Sequence, residues 1–239
     1  MSASEGDPGG PATLGPKILV GIVFDLDGTL IDSRLDIAYA ANHALTASGR
    51  SALSVDEISS YVGDGARLLL ARAARLEPDA REVEPLLESF LAYYEAHATD
   101  HTELLPGAHE ALEALADLPL AICTNKPRST TNAVLANLRF PAKFKIVVAG
   151  GDLAKNKPDP LPLIHIAGHL GLSTAELVMV GDGPQDILCA KAAGARSVGV
   201  EGGIQAHERL IAAAPDVLLA SLVELPALIR RWLVTPGAR

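Results

Sequence analysis

Two kinds of hydrophobic pattern succeed one another along the chain. Lys17-Ile18-Leu19-Val20-Gly21-Ile22-Val23-Phe24 is a short apolar, β-branched run, the pattern of a strand buried on both faces. It stops at Asp25-Leu26-Asp27-Gly28-Thr29, a turn signal. From about Arg34 to Asp100 the apolar residues recur at helical spacing, and helices are predicted over Leu35–Leu45, Ala66–Leu76 and Val83–Ala98. From Pro106 onward strands and helices alternate. The predicted strands are Leu118–Thr124, Lys145–Ala149, Leu177–Gly181, Ser197–Val200 and Val217–Leu219. The predicted helices between and after them are Gly107–Leu115, Thr130–Leu138, Leu161–Leu170, Pro184–Ala193, Ala206–Ala213 and Leu222–Leu233.

Such alternation implies an α/β fold, a doubly wound parallel sheet of Rossmann-like type with helices on both faces. A helical block inserted after the first strand forms a second subdomain. The expected organisation is a disordered leader over 1–16, a core built from 17–33 and 101–239, and a helical insert over 34–100. The leader carries four Gly and three Pro and no apolar periodicity. No internal repeat is present. Ligands of such sheets bind outside the carboxyl ends of the strands, so the polar residues that follow each strand are the candidates for chemistry.

Composition narrows the function classes. The 239 residues are 49% hydrophobic and 21% charged, values of a globular protein rather than a disordered one. Twenty Lys+Arg against twenty-nine Asp+Glu give a net charge of −9, which argues against a nucleic-acid partner. An anionic substrate stays open, because a few positioned cations act locally while distant charges are screened. No run approaches the roughly 20 apolar residues that span a bilayer, and Met1–Glu5 has no apolar stretch of a secretory signal. Cys123 and Cys189 are the only cysteines, so no disulfide framework is expected, and a reducing, cytoplasmic setting is.

Four predicted strand ends carry unusual polar groups: Asp25 and Asp27; Thr124-Asn125-Lys126; a third region that leads to Lys155-Asn156-Lys157-Pro158; and Gly181-Asp182, followed by Asp186. Asp25 and Asp27 are two apart, so in extended geometry they point to one side. Left unpaired they repel, and one pKa rises. A hard divalent cation relieves this, and an oxygen-only donor set favours Mg²⁺ over zinc. A divalent cation, a lysine and a hydroxyl together meet the needs of a phosphoryl group. One carboxylate can attack phosphorus, and its neighbour can protonate the leaving alkoxide.

These residues also resemble a known family. Phe24-Asp25-Leu26-Asp27-Gly28-Thr29-Leu30-Ile31-Asp32-Ser33 resembles the first motif of the haloacid dehalogenase superfamily, and Ile122-Cys123-Thr124-Asn125-Lys126-Pro127 its second. Lys157-Pro158 is similar to the third and Val180-Gly181-Asp182-Gly183-Pro184-Gln185-Asp186-Ile187 to the fourth. The helical block sits where the superfamily inserts a small C1-type cap. The resemblance implies Asp25 as nucleophile and Mg²⁺ ligand, and Asp27 as general acid/base with its main-chain carbonyl on the metal. It implies Asp182 as a further ligand and Asp186 as support of the metal site, directly or through water. Thr124, Lys157 and amides near Leu26 and Asn125 are implied to hold the phosphoryl oxygens, with Lys157 favoured over Lys155 because it precedes Pro158. The acid at Asp27 matches phosphoryl-transfer members; the dehalogenases lack it.

The cap bears on the substrate. Tyr61-Val62-Gly63-Asp64-Gly65-Ala66-Arg67 resembles the cap loop of the phosphoglycolate phosphatases, as do Thr124-Asn125-Lys126-Pro127, Pro158-Asp159-Pro160 and Ala190–Gly194. A small phosphorylated metabolite is the implied partner, with no nucleic acid and no membrane, for a monomer or homodimer. Gly63, Gly65 and Arg67 are the candidate cap contacts to a carboxylate; a plain helix N-terminus is the alternative. No lysine lies between Lys17 and Lys126, so the Schiff-base lysine of a phosphonoacetaldehyde hydrolase has no counterpart in the cap. β-Phosphoglucomutase shares Asp-x-Asp, but Thr29-Leu30 counts against it; pyrophosphatase and nucleotide phosphatase activities remain alternatives. A phospho-aspartate switch of the receiver type has neither the Asp-x-Asp pair nor the insert. The histidine pairs 97/101 and 165/169 read as exposed helix residues, the cysteines as small core residues and Trp232 as a packing anchor.

Overall fold

The computed structural model describes residues 21–233; the predicted leader and Lys17–Val20 lie outside them. In chain order the elements begin with β1 (Gly21–Phe24), β2 (Ile31–Asp32), α1 (Arg34–Ala47), α2 (Val55–Ser59), α3 (Ala66–Ala74), α4 (Val83–His97) and β3 (Glu103–Leu104). They continue with α5 (Ala108–Ala114), β4 (Leu120–Pro127), α6 (Arg128–Asn137), β5 (Ile146–Gly150), α7 (Leu161–Leu170) and β6 (Leu177–Gly181). The last are α8 (Pro184–Ala193), β7 (Arg196–Val200), α9 (His207–Ala212), β8 (Val217–Leu219) and α10 (Leu225–Leu233).

Six strands form a parallel sheet in the order β5-β4-β1-β6-β7-β8. β1 is central, with Ile22 paired to Leu120 on one side and to Val178 on the other. The chain winds outward from β1 in both directions, so the switch point lies at the carboxyl ends of β4, β1 and β6. Alternation sorts the strand residues between the faces: Ile22 and Phe24 enter one hydrophobic cluster, Val23 the other. That is why β1 reads as unbroken apolar sequence.

The first face continues into the helices α1–α4, where Ile37, Leu70, Leu86 and Phe90 join the same cluster as Phe24. The two crossings between sheet and helices are tied together. Ile31 pairs with Leu104 and Asp32 with Glu103 in a short antiparallel ribbon. Beside it the buried Asp36 carboxylate accepts the His101 and Thr102 amides at 3.0 and 2.8 Å and the Thr102 hydroxyl at 2.6 Å.

Several boundaries differ from the sequence reading for local reasons. β4 starts at Leu120, two residues late, because Pro119 supplies a carbonyl to Ile22 but has no N–H for the ladder. The expected last helix divides into a 3₁₀ turn at Leu222–Glu224 and α10, with Pro226 in its first turn, a place where proline is tolerated. β2, β3 and α2 went unpredicted because two- and five-residue elements carry too little periodicity. Cys123 and Cys189 are buried and form no disulfide. Trp232 packs on the core under the Arg196 guanidinium, 4.6 Å from the ring centre. No helix among the described residues is long and apolar enough to cross a membrane.

Candidate active site

Asp25 immediately follows β1, and its amide is held by the Val180 carbonyl at 2.9 Å. Asp182 follows β6 next door, and Asp186 lies in the first turn of α8. The carboxylate oxygens of Asp25, Asp182 and Asp186 lie within 4.8 Å of one another, all buried. Lys157 enters from the loop before α7. Its ammonium stands 2.8 Å from Asp25 Oδ1 and 2.6 Å from Asp186 Oδ1, and donates to the Cys123 carbonyl at 2.6 Å. Lys155, by contrast, is exposed.

The local backbone fixes this cluster. Asp182 Oδ2 accepts the amides of Ile204 and Gln205 at 2.7 and 3.0 Å. Gly28 lies against the same carboxylate at φ +88°, and a Cβ there would collide with Oδ2 of Asp182 and approach the Ile204 amide to 2.9 Å. Only glycine meets both conditions. Asp186 Oδ2 accepts the Gly183 amide at 3.0 Å, capping α8. Pro184 at the first helical position completes that start, so the Asp-Gly-Pro segment serves as helix cap and as part of the acidic cluster together.

Three carboxylates face one ammonium, and the imbalance is visible in their protonation. Burial, then the neighbouring Asp25 charge, pushes Asp182 up to about 7. Burial likewise pushes Asp186 upward, against the pull of Lys157. For Lys157 the charges of Asp186 and Asp25 outweigh burial, and its pKa rises. Three buried carboxylates balanced by a single ammonium leave an all-oxygen cluster with excess negative charge, the donor set of a hard divalent cation, so the residues fit the Mg²⁺ that the sequence implies.

Asp27 stands outside this cluster. The expectation that Asp25 and Asp27 face one another unpaired is corrected: each carboxylate has its own lysine. Lys126 Nζ lies 2.8 Å from Asp27 Oδ1, and the Ser33 hydroxyl donates to the same oxygen at 2.6 Å. Lys126 also donates to the Tyr94 hydroxyl at 2.5 Å and lies 4.3 Å from that ring's centre. Burial alone would lower the Lys126 pKa, but Asp27 and Tyr94 reverse it and the net shift is upward. Burial pushes the Tyr94 phenol up to about 12, so it stays protonated.

Asp25, Asp27, Thr124 and Lys126 line one side of a cavity at the switch point, and Gly63, Gly65, Leu69, Phe90 and Tyr94 line the side facing them. The free space is about 40 Å³ for water-sized centres, where one such sphere takes roughly 10–15 Å³. The cap lies closed on the core. Asn125 Nδ2 donates to the Gly63 carbonyl at 2.9 Å and to the Lys157 carbonyl at 2.8 Å, and Gln205 Nε2 donates to the Val62 carbonyl. The Asn125 side chain thus docks the cap loop and holds the Lys157 loop; the phosphate contact expected at Asn125 is its main-chain amide. Thr124 Oγ1 accepts the Lys126 amide at 3.1 Å.

Gly65 caps α3 at φ 91°, so the helix-start reading and the cavity reading hold together at this glycine. Arg67 goes elsewhere: its guanidinium pairs with Glu84 and approaches the Pro78 carbonyl on the exposed side of the cap, and it does not line the cavity. The sequence reading named Lys126 at a strand end and Ser33 in the first motif but gave neither a role, and it passed over Tyr94 and Gln205. Only Lys126 carried a signal, as the first lysine after a long stretch without one.

The model of the haloacid dehalogenase-like hydrolases matches residues 22–200. A phosphoglycolate phosphatase of Pectobacterium atrosepticum is 37% identical over 214 residues, covering 87% of this chain and 92% of that protein. One of Neisseria meningitidis is 38% identical over 213 residues, covering 85% and 91%. The crystal structure of a predicted phosphoglycolate phosphatase from Haemophilus somnus superposes with a TM-score of 0.79 at 28% identity, covering 90% of this chain and 99% of that one.

Proposed function

The chain belongs to the haloacid dehalogenase-like hydrolases, and we propose that it is a Mg²⁺-dependent phosphomonoester hydrolase that forms an aspartyl phosphate, with 2-phosphoglycolate as its substrate. One observation carries the chemical part. Asp25, ion-paired to Lys157 and beside Asp182, opens into the same small cavity as Asp27. A nucleophile, an acid and charge for the phosphoryl oxygens therefore converge on one spot. The substrate rests on the names of the relatives.

Asp25 attacks phosphorus, and the bond from phosphorus to the ester oxygen breaks as the new one forms. Asp27 delivers a proton to the departing oxygen, then takes one from the water that cleaves the acyl phosphate and returns free Asp25 and inorganic phosphate. Thr124 and Lys157 bind phosphoryl oxygens and spread their charge. Asp25, Asp182 and the main-chain carbonyl of Asp27 would hold Mg²⁺, with Asp186 orienting Lys157 beside it. Bound there, the cation neutralises the phosphoryl charge as a Lewis acid. The closed cap excludes bulk water from the cavity.

Phosphate release with Mg²⁺ from 2-phosphoglycolate, pyrophosphate, glucose 1-phosphate and nucleoside monophosphates tests the reading. Phosphoglycolate should give the highest kcat/KM. A higher value for any other substrate overturns the substrate assignment, and no release from any of them overturns the enzymatic one.

A further inference from the structure

We propose that Lys126 of the core and Tyr94 of the cap form the subsite that binds a carboxylate on the leaving-group side of the ester. The proposal rests on the phosphomonoesterase reading and gives it a specificity residue.

Position is the first argument. The group that protonates the leaving oxygen must lie within hydrogen-bond reach of it, and Asp27 has that place. In a glycolate leaving group the carboxyl carbon is two bonds from the ester oxygen. A carboxylate so placed lies within a few bond lengths of Asp27, and there stands the Lys126 ammonium, 2.8 Å from Asp27 Oδ1. A longer spacer overshoots it, and an ester without the second anion leaves the cation unused.

Charge is the second. Among the residues lining the cavity, Lys126 is the only lysine or arginine. The phosphoryl end has its own cation in Lys157, which faces Asp25 and Asp186. The two lysines therefore mark two anion sites, one on each side of the Asp25–Asp27 pair. The Lys126 side chain is 2% exposed, a costly setting for a cation without anionic partners. An ammonium has three donors, and among the described residues the side-chain hydrogen bonds of Nζ go to Asp27 and Tyr94.

The third argument is the pairing of Lys126 with Tyr94. The Tyr94 hydroxyl accepts from Lys126, so its own proton is directed away from the ammonium, available to an anion in the cavity. Phe90, tilted against the ring at 5.4 Å between centroids, holds it in place. Tyr94 belongs to α4 and Lys126 to β4, so a carboxylate held by both joins cap to core. Arg67, the cation suggested by the cap motif, is engaged with Glu84 on the outer side.

The test compares 2-phosphoglycolate with ethyl phosphate, which replaces the carboxylate by a methyl group. Wild type, Lys126→Met and Tyr94→Phe are assayed with Mg²⁺ for kcat and KM on both esters. The wild type should prefer phosphoglycolate. In Lys126→Met the preference should fall by about 10- to 150-fold, the loss expected of one charge-assisted hydrogen bond, and the change should lie in the KM for phosphoglycolate. Equal losses on both esters would show that Lys126 serves Asp27 alone and overturn the subsite. A wild type that hydrolyses ethyl phosphate equally well removes the substrate reading and the subsite with it, an outcome recognisable before any variant is made. Should Lys126→Met not fold by circular dichroism, Tyr94→Phe decides: a lowered preference supports the subsite, and an unchanged one overturns it.

Discussion

The Lys157 ammonium lies 2.8 Å from Oδ1 of Asp25 and, on its other side, 2.6 Å from Oδ1 of Asp186. Asp25, the proposed nucleophile, is therefore held by a cation that has a second carboxylate anchor. Asp25→Asn removes the attacking charge yet leaves Lys157 paired with Asp186, so the variant should fold. Phosphate release should fall on the order of 10⁴-fold or more, with a thermal midpoint close to that of the wild type. A substrate chiral at phosphorus should release phosphate with retained configuration, the outcome of two successive in-line displacements; inversion would exclude the covalent route.

In the proposed mechanism the Asp27 side chain gives its proton to the leaving group in the first step. Asp27→Asn should reduce turnover of alkyl phosphates far more than that of p-nitrophenyl phosphate, whose phenolate departs without full protonation. Parallel losses in a series of esters of rising leaving-group pKa would make Asp27 a structural residue.

The acidic cluster makes the metal-free protein sensitive to pH. Asp182 rises from 3.8 to about 7 on folding, so between these values the folded state binds more protons than the unfolded one. Stability then falls as pH rises through that window. Asp186 shifts in the same direction. The upward shift of Lys157 acts only above its ordinary range and does not contribute here. In EDTA the melting temperature should fall between pH 4 and about 7, and Mg²⁺ should restore it most at the upper end, since a ligand of the folded state stabilises it. Asp182→Asn should flatten the EDTA slope and weaken the Mg²⁺ response; an unchanged response would place the cation elsewhere.

Asp36 is a structural counterpart, fastening the two crossings between core and cap. Asp36→Ala leaves the buried Thr102 amide and hydroxyl without their acceptor. The expected cost is about 1–3 kcal/mol, read from urea unfolding. A variant as stable as the wild type would mean that the β2–β3 ribbon alone holds the crossing.

By itself the sequence determined the order of the longer strands and helices, the parallel sheet and the places of Asp25 and Asp182 directly after β1 and β6. Those features are local. A buried strand must be apolar along its length, a helix must be apolar at helical spacing, and a parallel sheet places chemistry after its strands. The choice of Lys157 over Lys155 came from the family resemblance, in which the lysine directly precedes a proline, here Pro158. Which carboxylate meets which cation was decided by tertiary structure. Lys126 and Asp27 are 99 residues apart, and Tyr94 lies on an inserted helix whose spacing announces only a buried face. Gly63 and Arg67 illustrate the same divide within one motif. Backbone docking through Asn125 turns Gly63 into the cavity, while Glu84, 17 residues beyond Arg67, draws its guanidinium to the outer surface. The chain pattern fixes the face on which an element is buried; the direction of a long charged side chain depends on the nearest opposite charge in space, and for Arg67 that is set only once α3 packs against α4.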